Sequence, residues 1–282
     1  MAAPRWLRRV PSKIVLAFYV LFALIPFGWM LTASLEPQTS LYREHLSYLP
    51  DPLTFANYAA LLRADPVHGT DYPQYFLNSL IVVICTVVLA LLIAVPAAYG
   101  FSRYNFLGRN TILYGIMLQS LLPLVNFLIP LYIVMQEFDL LDTYPSLIIG
   151  YLTFSMPLNI WILKSFFDGI PPDMEMSARL DGASPFRAFV EIAIPPALPG
   201  IVATAIFTFI LAWDEYLYAL TMISTAEMRT LPLGIFAYFS EGAPNWTSLM
   251  ATAIAMSIPV IVVFLVLQKY FIAALTKGAL KY

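Results

Sequence analysis

The sequence has few charged residues and few of the side chains that bind metals or form disulfides. Only 11% of its 282 residues are charged, whereas about 25% is usual in a soluble domain. A single cysteine, Cys85, excludes an internal disulfide and a cysteine-based metal site. The two histidines, His45 and His68, lie far apart in polar stretches and are interpreted as ordinary loop residues. The net charge of −2 gives no excess of basic residues that would indicate nucleic-acid binding.

Long apolar runs are present instead, and the mean hydropathy of +0.78 places the chain among membrane proteins. A helix needs about 20 mainly apolar residues to cross the hydrocarbon core of a bilayer. Six segments meet this requirement: Ile14–Leu35, Phe76–Tyr99, Thr111–Met135, Pro145–Phe167, Leu198–Met222 and Leu249–Phe271. Prolines interrupt several of them, and a packed bundle of bent helices accommodates such interruptions. The sequence therefore predicts an all-α integral membrane protein with six transmembrane helices.

The distribution of basic residues predicts how these spans are oriented. If the N-terminus is cytoplasmic, twelve of the fifteen lysines and arginines lie on the cytoplasmic side, and only Arg43, Arg63 and Arg229 lie outside. Basic residues concentrate in the cytoplasmic loops of membrane proteins. We therefore expect a multi-pass protein with both termini in the cytoplasm.

A charged, proline-rich stretch between the fourth and fifth spans, DMEMSARLDGASPFRAFVEIAIPPALPG, would face the cytoplasm. Asp173 is a candidate N-cap for a first short helix. Asp181-Gly182 is expected to end that helix, because glycine tolerates the left-handed conformation of a C′ position. Ser184-Pro185 would start a second helix, with serine as the N-cap and proline as the first helical residue. Pro195-Pro196 is expected to end it before the fifth span.

Four apolar residues of this stretch, Met174, Ala178, Phe186 and Phe189, have no lipid core to bury them. A short rigid element of this kind suits docking to a cytoplasmic partner, as a helix laid in a groove. An interfacial loop that rests on lipid headgroups explains the same pattern. The residues alone leave both interpretations open.

The stretch resembles the EAA loop of the permease subunits of binding-protein-dependent ABC importers. The family motif reads E-A-A, three residues, Gly, nine residues and I-x-L-P, and Met176-Ser177-Ala178, Gly182 and Ile192–Pro195 keep this spacing. The LDGAS core, Leu180–Ser184, resembles the version found in carbohydrate importers. One position departs from the motif, because Met176 stands where the family has glutamate and Glu175 lies one residue earlier.

The resemblance extends over nearly the whole chain. Similar stretches are Tyr75–Asn110, Ile129–Ile149, Ala212–Leu220 and the C-terminal LQKYFIAALTKGALKY, which ends as the shorter, six-span permeases of the maltose type do. It implies a type I ABC importer permease fold with cytoplasmic coupling helices. The implied organisation is a cytoplasmic segment (1–13), a first span with an outer loop (14–75), a core permease domain of five spans (76–272) that holds the coupling loop (168–197), and a cytoplasmic tail (273–282).

The resemblance also implies a function and a set of partners. The chain would be the transmembrane subunit of an ATP-driven importer for di- or oligosaccharides in a bacterial inner membrane. Its partners would be a second permease subunit, two ATPase subunits and an extracytoplasmic sugar-binding protein. ATP and Mg²⁺ would bind on the ATPase subunits and no cofactor on this chain, whose sequence lacks the Gly-x-x-x-x-Gly-Lys-Ser/Thr phosphate loop. Ten positions would couple to the ATPase: Glu175, Met176, Ser177, Ala178, Asp181, Gly182, Ala183, Ser184, Ile194 and Pro195.

Two adjacent acidic residues, Asp214 and Glu215, lie inside an apolar segment. Charges in a membrane span are costly and usually face a cavity or a partner. Together with nearby aromatic residues they resemble a sugar-contacting surface, whereas a structural or gating role explains the same residues. The candidate substrate path comprises Trp213, Asp214, Glu215, Tyr216, Tyr218 and Asn126.

Two other classes of protein compete with this interpretation. An ion-coupled secondary transporter often has two similar halves, and no clear internal repeat is present. Asp214 and Glu215 would be its only candidate ion site. A polytopic membrane enzyme would need a His/Asp/Glu or serine-based constellation at one membrane face, and the sequence has no such constellation.

Overall fold

A computed structural model describes residues 5–42, 49–65, 70–235 and 245–279. His45, His68 and Arg43 lie outside these residues, as do parts of both predicted cytoplasmic segments, 1–13 and 273–282. Among the described residues, two short strands, β1 (Ala64–Asp65) and β2 (Thr70–Asp71), pair antiparallel with Ala64 opposite Asp71.

The rest of the described chain is mainly helical. In chain order the helices are α1 (Arg5–Ser34), α2 (Ala56–Leu61), α3 (Tyr72–Arg103), α4 (Arg109–Gln119), α5 (Val125–Glu137), α6 (Tyr144–Asp168), α7 (Asp173–Leu180), α8 (Pro185–Arg187), α9 (Ile194–Trp213), α10 (Leu217–Met222), α11 (Leu231–Ile235) and α12 (Trp246–Ala279). Short 3-10 turns cover Gln38–Tyr42 and Ala226–Met228. A π-helical segment, Ala188–Ala193, joins α8 to α9.

Five helical segments of the described chain are long and apolar enough to cross a membrane: Lys13–Ser34, Tyr72–Arg103, Tyr144–Asp168, Pro185–Trp213 and Trp246–Tyr270. They match the first, second, fourth, fifth and sixth predicted spans. The third and fifth predicted spans differ from the structure in ways that follow from their prolines and acidic residues.

The third predicted span, Thr111–Met135, is not one helix. It is divided between α4 and α5, which have 11 and 13 residues and are each too short to cross a bilayer alone. Pro123 explains the break, because it has no backbone N–H and its ring disfavours a helical conformation at the preceding residue. Before the break the chain tightens, since Ser120 and Leu121 donate their N–H groups to carbonyls three residues earlier.

The fifth predicted span, Leu198–Met222, ends at residue 213 in the structure, and α10 follows after a break at residues 214–216. The first carboxylate of the acidic pair, Asp214, ends α9, and the second, Glu215, accepts hydrogen bonds from the first turn of α10. The pair therefore lies in a helix break and not inside a continuous span.

At its other end this span begins earlier than predicted. The expectation that Pro195-Pro196 ends a helix is wrong, because Pro185–Trp213 is a helical segment of 29 residues. The π-helical segment precedes the prolines, and Ile194 donates its N–H to the carbonyl of Phe189, five residues earlier. The two prolines then occupy the first turn of α9, where a missing N–H is tolerated.

The described residues form two compact units, one from 1–73 with 235–259 and the other from 74–234 with 260–282. In the first unit, the Asn57 amide donates to the carbonyls of Ser34 at 2.8 Å and Glu36 at 2.9 Å. Gln38 accepts a hydrogen bond from the backbone N–H of Thr247 at 3.2 Å. The side chains of α1 from residue 13 to residue 28 are all exposed, so this helix offers its apolar surface to lipid or to a partner.

The second unit has its core where α3, α4, α6 and α9 meet. The buried residues of this core are Ala94, Val95, Ala98, Phe101, Leu113, Ile160, Leu163, Phe167, Ile170, Ala193 and Ala197. Small residues on α3 and α9 face larger ones on α6, which lets the helices approach closely, as is typical inside membranes. Gly200 shows how close the approach is, because a Cβ placed there would lie 2.4 Å from the ring of Phe166.

Two polar groups inside the second unit fix particular helices. The Asn159 amide donates to the Thr208 hydroxyl at 2.9 Å, and that hydroxyl is 3.1 Å from the Asn159 carbonyl oxygen, so α6 is bonded to α9. Asn78 on α3 is fully buried and donates to the carbonyls of Glu227 at 2.7 Å and Arg229 at 2.8 Å. This second contact holds the segment before α11 against α3.

Candidate functional site

The stretch predicted to face the cytoplasm forms two short helices joined by a tight turn. Of the predicted loop at 168–197, residues 173–193 form these helices, the turn between them and the π-helical segment, and we keep the name coupling loop for 173–193. Its first helix, α7, begins at Asp173 with Pro172 at the N-cap position. The prediction that Asp173 is the N-cap is therefore wrong. Pro172 already has helical angles, φ −65° and ψ −20°. The helix therefore starts one residue earlier than predicted, and Asp173 is its first residue instead of its N-cap. A carboxylate there is stabilised by the positive end of the helix dipole.

The turn between the two helices is confirmed as a glycine-dependent C-cap. Gly182 has φ +94°. The N–H of Ala183 bonds to the carbonyl of Ala178 at 2.9 Å, and that of Gly182 to the carbonyl of Arg179 at 3.1 Å. These are the two hydrogen bonds of a Schellman motif. Asp181 is the C-cap residue and is exposed, so its side chain points to solvent.

The start of the second helix is also confirmed. Ser184 is extended, with φ −65° and ψ 158°, and its hydroxyl accepts a hydrogen bond from the backbone N–H of Arg187 at 3.2 Å. Pro185 is the first helical residue. Ile194 and Pro195, the last of the predicted coupling positions, lie at the start of α9 within a continuous helical segment, so the coupling loop is rigidly joined to that span.

The coupling loop presents three large apolar side chains that nothing in the described chain covers. The exposed fractions are 62% for Met176, 84% for Leu180 and 75% for Phe186. Ser177 is also exposed, while Ala178 and Ala183 are half-buried. We call Met176, Leu180 and Phe186 the apolar face of the loop.

Glu175, unlike the residues of this face, is buried against the rest of the chain. The residue is only 7% exposed, and its carboxylate accepts hydrogen bonds from the Arg103 Nε at 2.7 Å and the Tyr99 hydroxyl at 2.6 Å. It is therefore directed into the chain, and not toward a partner, in this structure. The sequence did not identify Tyr99 or Arg103 as functional residues. Arg103 was counted only among the basic residues that predict the orientation of the spans. No spacing signal links Tyr99 or Arg103 to Glu175, since more than 70 residues separate the partners.

The predicted substrate path is divided by burial. Trp213 and Tyr218 are each 1% exposed, and Trp213 stacks on Phe209 with 5.6 Å between ring centroids. Glu215 caps α10 by accepting the backbone N–H groups of Tyr218 at 2.8 Å and Ala219 at 3.3 Å. These three predicted residues are therefore held by packing or by capping.

The other predicted path residues remain accessible: Asp214 and Asn126 are exposed and Tyr216 is half-buried. The Tyr218 hydroxyl donates to the carbonyl of Leu124 at 3.4 Å, so α10 contacts the break before α5. Non-helical backbone at membrane depth is tolerated only where protein covers it or where it lines a water-filled cavity.

The ends of α6 and α10 are joined by a carboxylate that sequence reasoning did not single out. Asp142 precedes α6 with φ +58° and accepts hydrogen bonds from the backbone N–H groups of Ser224 at 2.6 Å and Thr225 at 2.9 Å, and from both hydroxyls. The hydroxyl of Ser224, together with these N–H groups, holds the pKa of Asp142 below its usual value. Asp-Thr before a helix is a common turn sequence. The sequence therefore gave no indication that Asp142 bonds to Ser224 and Thr225, which follow more than 80 residues later.

A family model described as "Binding-protein-dependent transport system inner membrane component" matches residues 86–277. The chain belongs to this family. The resemblance seen in the coupling loop is thereby confirmed, and the chain is a multi-pass membrane permease.

Two relatives illustrate how far this permease matches its family. It is 35% identical to the trehalose transport system permease protein SugB of Mycobacterium tuberculosis, over 92% of this chain and 93% of that one. It is 34% identical to the sulfoquinovosyl glycerol transport system permease protein SmoH of Agrobacterium fabrum, over 96% and 94%. A chain of a bacterial importer of the acidic polysaccharide alginate superposes with a TM-score of 0.79 at 23% identity, over 96% and 99%. The type I importer permease fold is therefore confirmed.

Proposed function

We propose that this permease is the transmembrane subunit of an ATP-driven sugar importer, and that its coupling loop docks onto a cytoplasmic ATPase. The observation that carries the proposal is the apolar face of Met176, Leu180 and Phe186 on a rigid, charged element. In water such a face is stabilised by burial in a groove of a partner. Since the loop is continuous with α6 and α9, any force on it acts directly on two spans.

ATP and Mg²⁺ would bind on the ATPase subunits, and this chain would bind no cofactor. The absence of a phosphate-loop motif from the sequence supports this division of labour. The full assembly would contain this permease, a second permease, two ATPases and an extracytoplasmic binding protein, consistent with the family's dependence on a binding protein. The excess of basic residues in one set of loops supports cytoplasmic termini.

We propose that the substrate is a di- or oligosaccharide. The similarity of this chain to a permease for the disaccharide trehalose supports this class, and its similarity to one for sulfoquinovosyl glycerol supports a glycosidic substrate more generally. Asp214 and Asn126 are the path residues whose exposure allows contact with a sugar, and Tyr216 is half-buried beside Asp214. Trp213, Tyr218 and Glu215 would instead support the two helix breaks.

The test is uptake by the purified complex in proteoliposomes, with a panel of radiolabelled disaccharides. ATP inside the vesicles, with ionophores present, should drive uptake only when the binding protein is added outside. Uptake driven by a proton or sodium gradient without ATP would overturn the proposal and favour a secondary transporter, whose candidate ion site would be Asp214 and Glu215.

A further inference from the structure

An ion pair fastens the coupling loop to α3, a helix that is remote from it in sequence. Glu175 on α7 accepts hydrogen bonds from Arg103 Nε at 2.7 Å and from the Tyr99 hydroxyl at 2.6 Å. The Arg103 and Glu175 side chains are only 13% and 9% exposed. The two other ion pairs between described residues each join positions i and i+4 of one helical segment. Within the described chain, Arg103–Glu175 is therefore the pair that joins two different helices.

The same end of α3 is also bonded to the end of α6. Arg103 Nη2 donates to the carbonyl of Ile170 at 2.9 Å. The Ser102 hydroxyl donates to the Asp168 carboxylate at 2.7 Å. The last turn of α3 is thus bonded to the end of α6 and to the turn that follows it.

Aromatic packing extends this contact to the π-helical segment. The Tyr99 ring lies 4.5 Å from the ring of Phe189 and 5.5 Å from that of Phe167, measured between centroids. Tyr99 therefore contacts α6, α7 and the segment that leads into α9. A groove of about 480 Å³ lies over this cluster and is lined by Glu175 and Arg103 together with Met176 and Leu180 of the apolar face.

We infer that Tyr99, Arg103 and Glu175 form a latch that makes α3 move with the coupling loop, and they are positioning residues in this role. This inference rests on the proposed function. The chain itself connects the loop only to α6 and α9, so the latch adds a direct bond between α7 and α3 to the contacts that α3 makes with the end of α6. Separating α7 from α3 would leave a buried charge without its partner, which is strongly unfavourable. A displacement of α7 by the ATPase is therefore transmitted to three spans.

The experiment measures the distance between α3 and α7 in the assembled complex by pulsed electron paramagnetic resonance. Spin labels are attached at Leu107→Cys, just beyond α3, and Ser177→Cys on α7, both exposed, in a Cys85→Ser background. The distance is compared between the nucleotide-free complex and the complex trapped with ATP and vanadate. The latch predicts one distance in both states.

If the latch is broken, the distance between the two labels should no longer be the same in the two nucleotide states. In Glu175→Gln the distance should shift between the two states, and in Tyr99→Phe the distribution should broaden, because one of the two hydrogen bonds to the carboxylate remains. The matched control is Glu191→Gln, which removes an exposed pair with Arg187 within the same loop and should leave the distance fixed. A merely structural role would lower the yield of complex without making the distance depend on nucleotide.

Two outcomes would overturn the latch: a distance that changes with nucleotide when the latch residues are unaltered, or a distance that stays fixed in Glu175→Gln together with a distribution that does not broaden in Tyr99→Phe. If Glu175→Gln does not assemble, Tyr99→Phe decides alone. A labelled complex that fails to hydrolyse ATP or to retain the ATPase would instead count against the proposed function, so the two failures are distinguishable.

Discussion

Replacing Gly182 with valine should uncouple the permease from its ATPase while leaving the membrane bundle folded. Gly182 has φ +94°, and a Cβ added there meets no atom within 4 Å. The substitution therefore causes no clash, and its cost comes from the left-handed backbone alone. That cost is about 1–2 kcal/mol for an L-residue and is larger for a β-branched one.

This strain is small for the whole protein but large for α7. Helices shorter than about 12 residues are marginal on their own, and α7 has 8 residues. A shift of about 1–2 kcal/mol changes a local equilibrium about 5- to 30-fold. We therefore expect the Schellman turn to open and the apolar face to lose its orientation, with a similar fall in ATP-driven uptake.

The assay compares ATPase co-purification, sugar uptake and thermal unfolding for three variants. Gly182→Asn should retain most uptake, because asparagine tolerates the left-handed conformation. Gly108→Val is the matched control, since Gly108 has φ +82° in the turn between α3 and α4 and its added Cβ would meet only Ile112, at 3.9 Å. Full coupling in Gly182→Val, or equal loss in Gly108→Val, would refute the reasoning.

Three further predictions concern other parts of the second unit. Asn159→Leu should destabilise the permease by about 0.6 to 1.7 kcal/mol in detergent unfolding, because it removes a bond between α6 and α9. The stability contributed by Asp142, whose folded pKa is lowered, should be complete above about pH 4 and lost as the pH falls through the folded pKa. Asp142→Asn should remove this part of the acid sensitivity in thermal unfolding below about pH 4. Glu215→Ala should cost about 1 kcal/mol by removing a helix cap, whereas Asp214→Ala should lower sugar uptake without changing stability.

Each of these predictions has its own control. Thr153→Val removes a hydroxyl that bonds only within α6, so it should be milder than Asn159→Leu. Asp139→Asn changes an exposed carboxylate three residues before Asp142 and should leave the acid profile unchanged. If uptake is unaltered in Asp214→Ala, Asp214 does not contact the substrate and its role is structural.

Much of the fold could be predicted because its signals are local. The spans are predicted by the length of the apolar runs. The left-handed conformation of Gly182 and the N-cap at Ser184 are predicted because glycine and serine are strongly favoured at those positions. The break in the third span is also caused by a local residue, Pro123. This break was not predicted, because helices in membrane bundles often continue through a proline or begin with one, as α9 does with Pro195 in its first turn.

The latch and the hydrogen bonds that Asp142 accepts could not be predicted, because they join residues that are far apart in the sequence and meet only in the folded chain. Glu175 illustrates the limit. The sequence shows it one position away from the motif's glutamate, but only packing reveals that it bonds to α3. Likewise the acidic pair at 214–215 was expected inside a continuous span, whereas the structure places it in a helix break, with Asp214 exposed and Glu215 capping α10.

The central claim is that the apolar face of the coupling loop contacts the ATPase, and the most direct test is site-specific photo-crosslinking. A photoreactive amino acid at Met176 in the assembled complex should link to the ATPase subunit, and one at Asp139 should not. Crosslinks from Met176 to lipid alone, in a complex that retains its ATPase, would contradict the claim and identify the loop as an interfacial element.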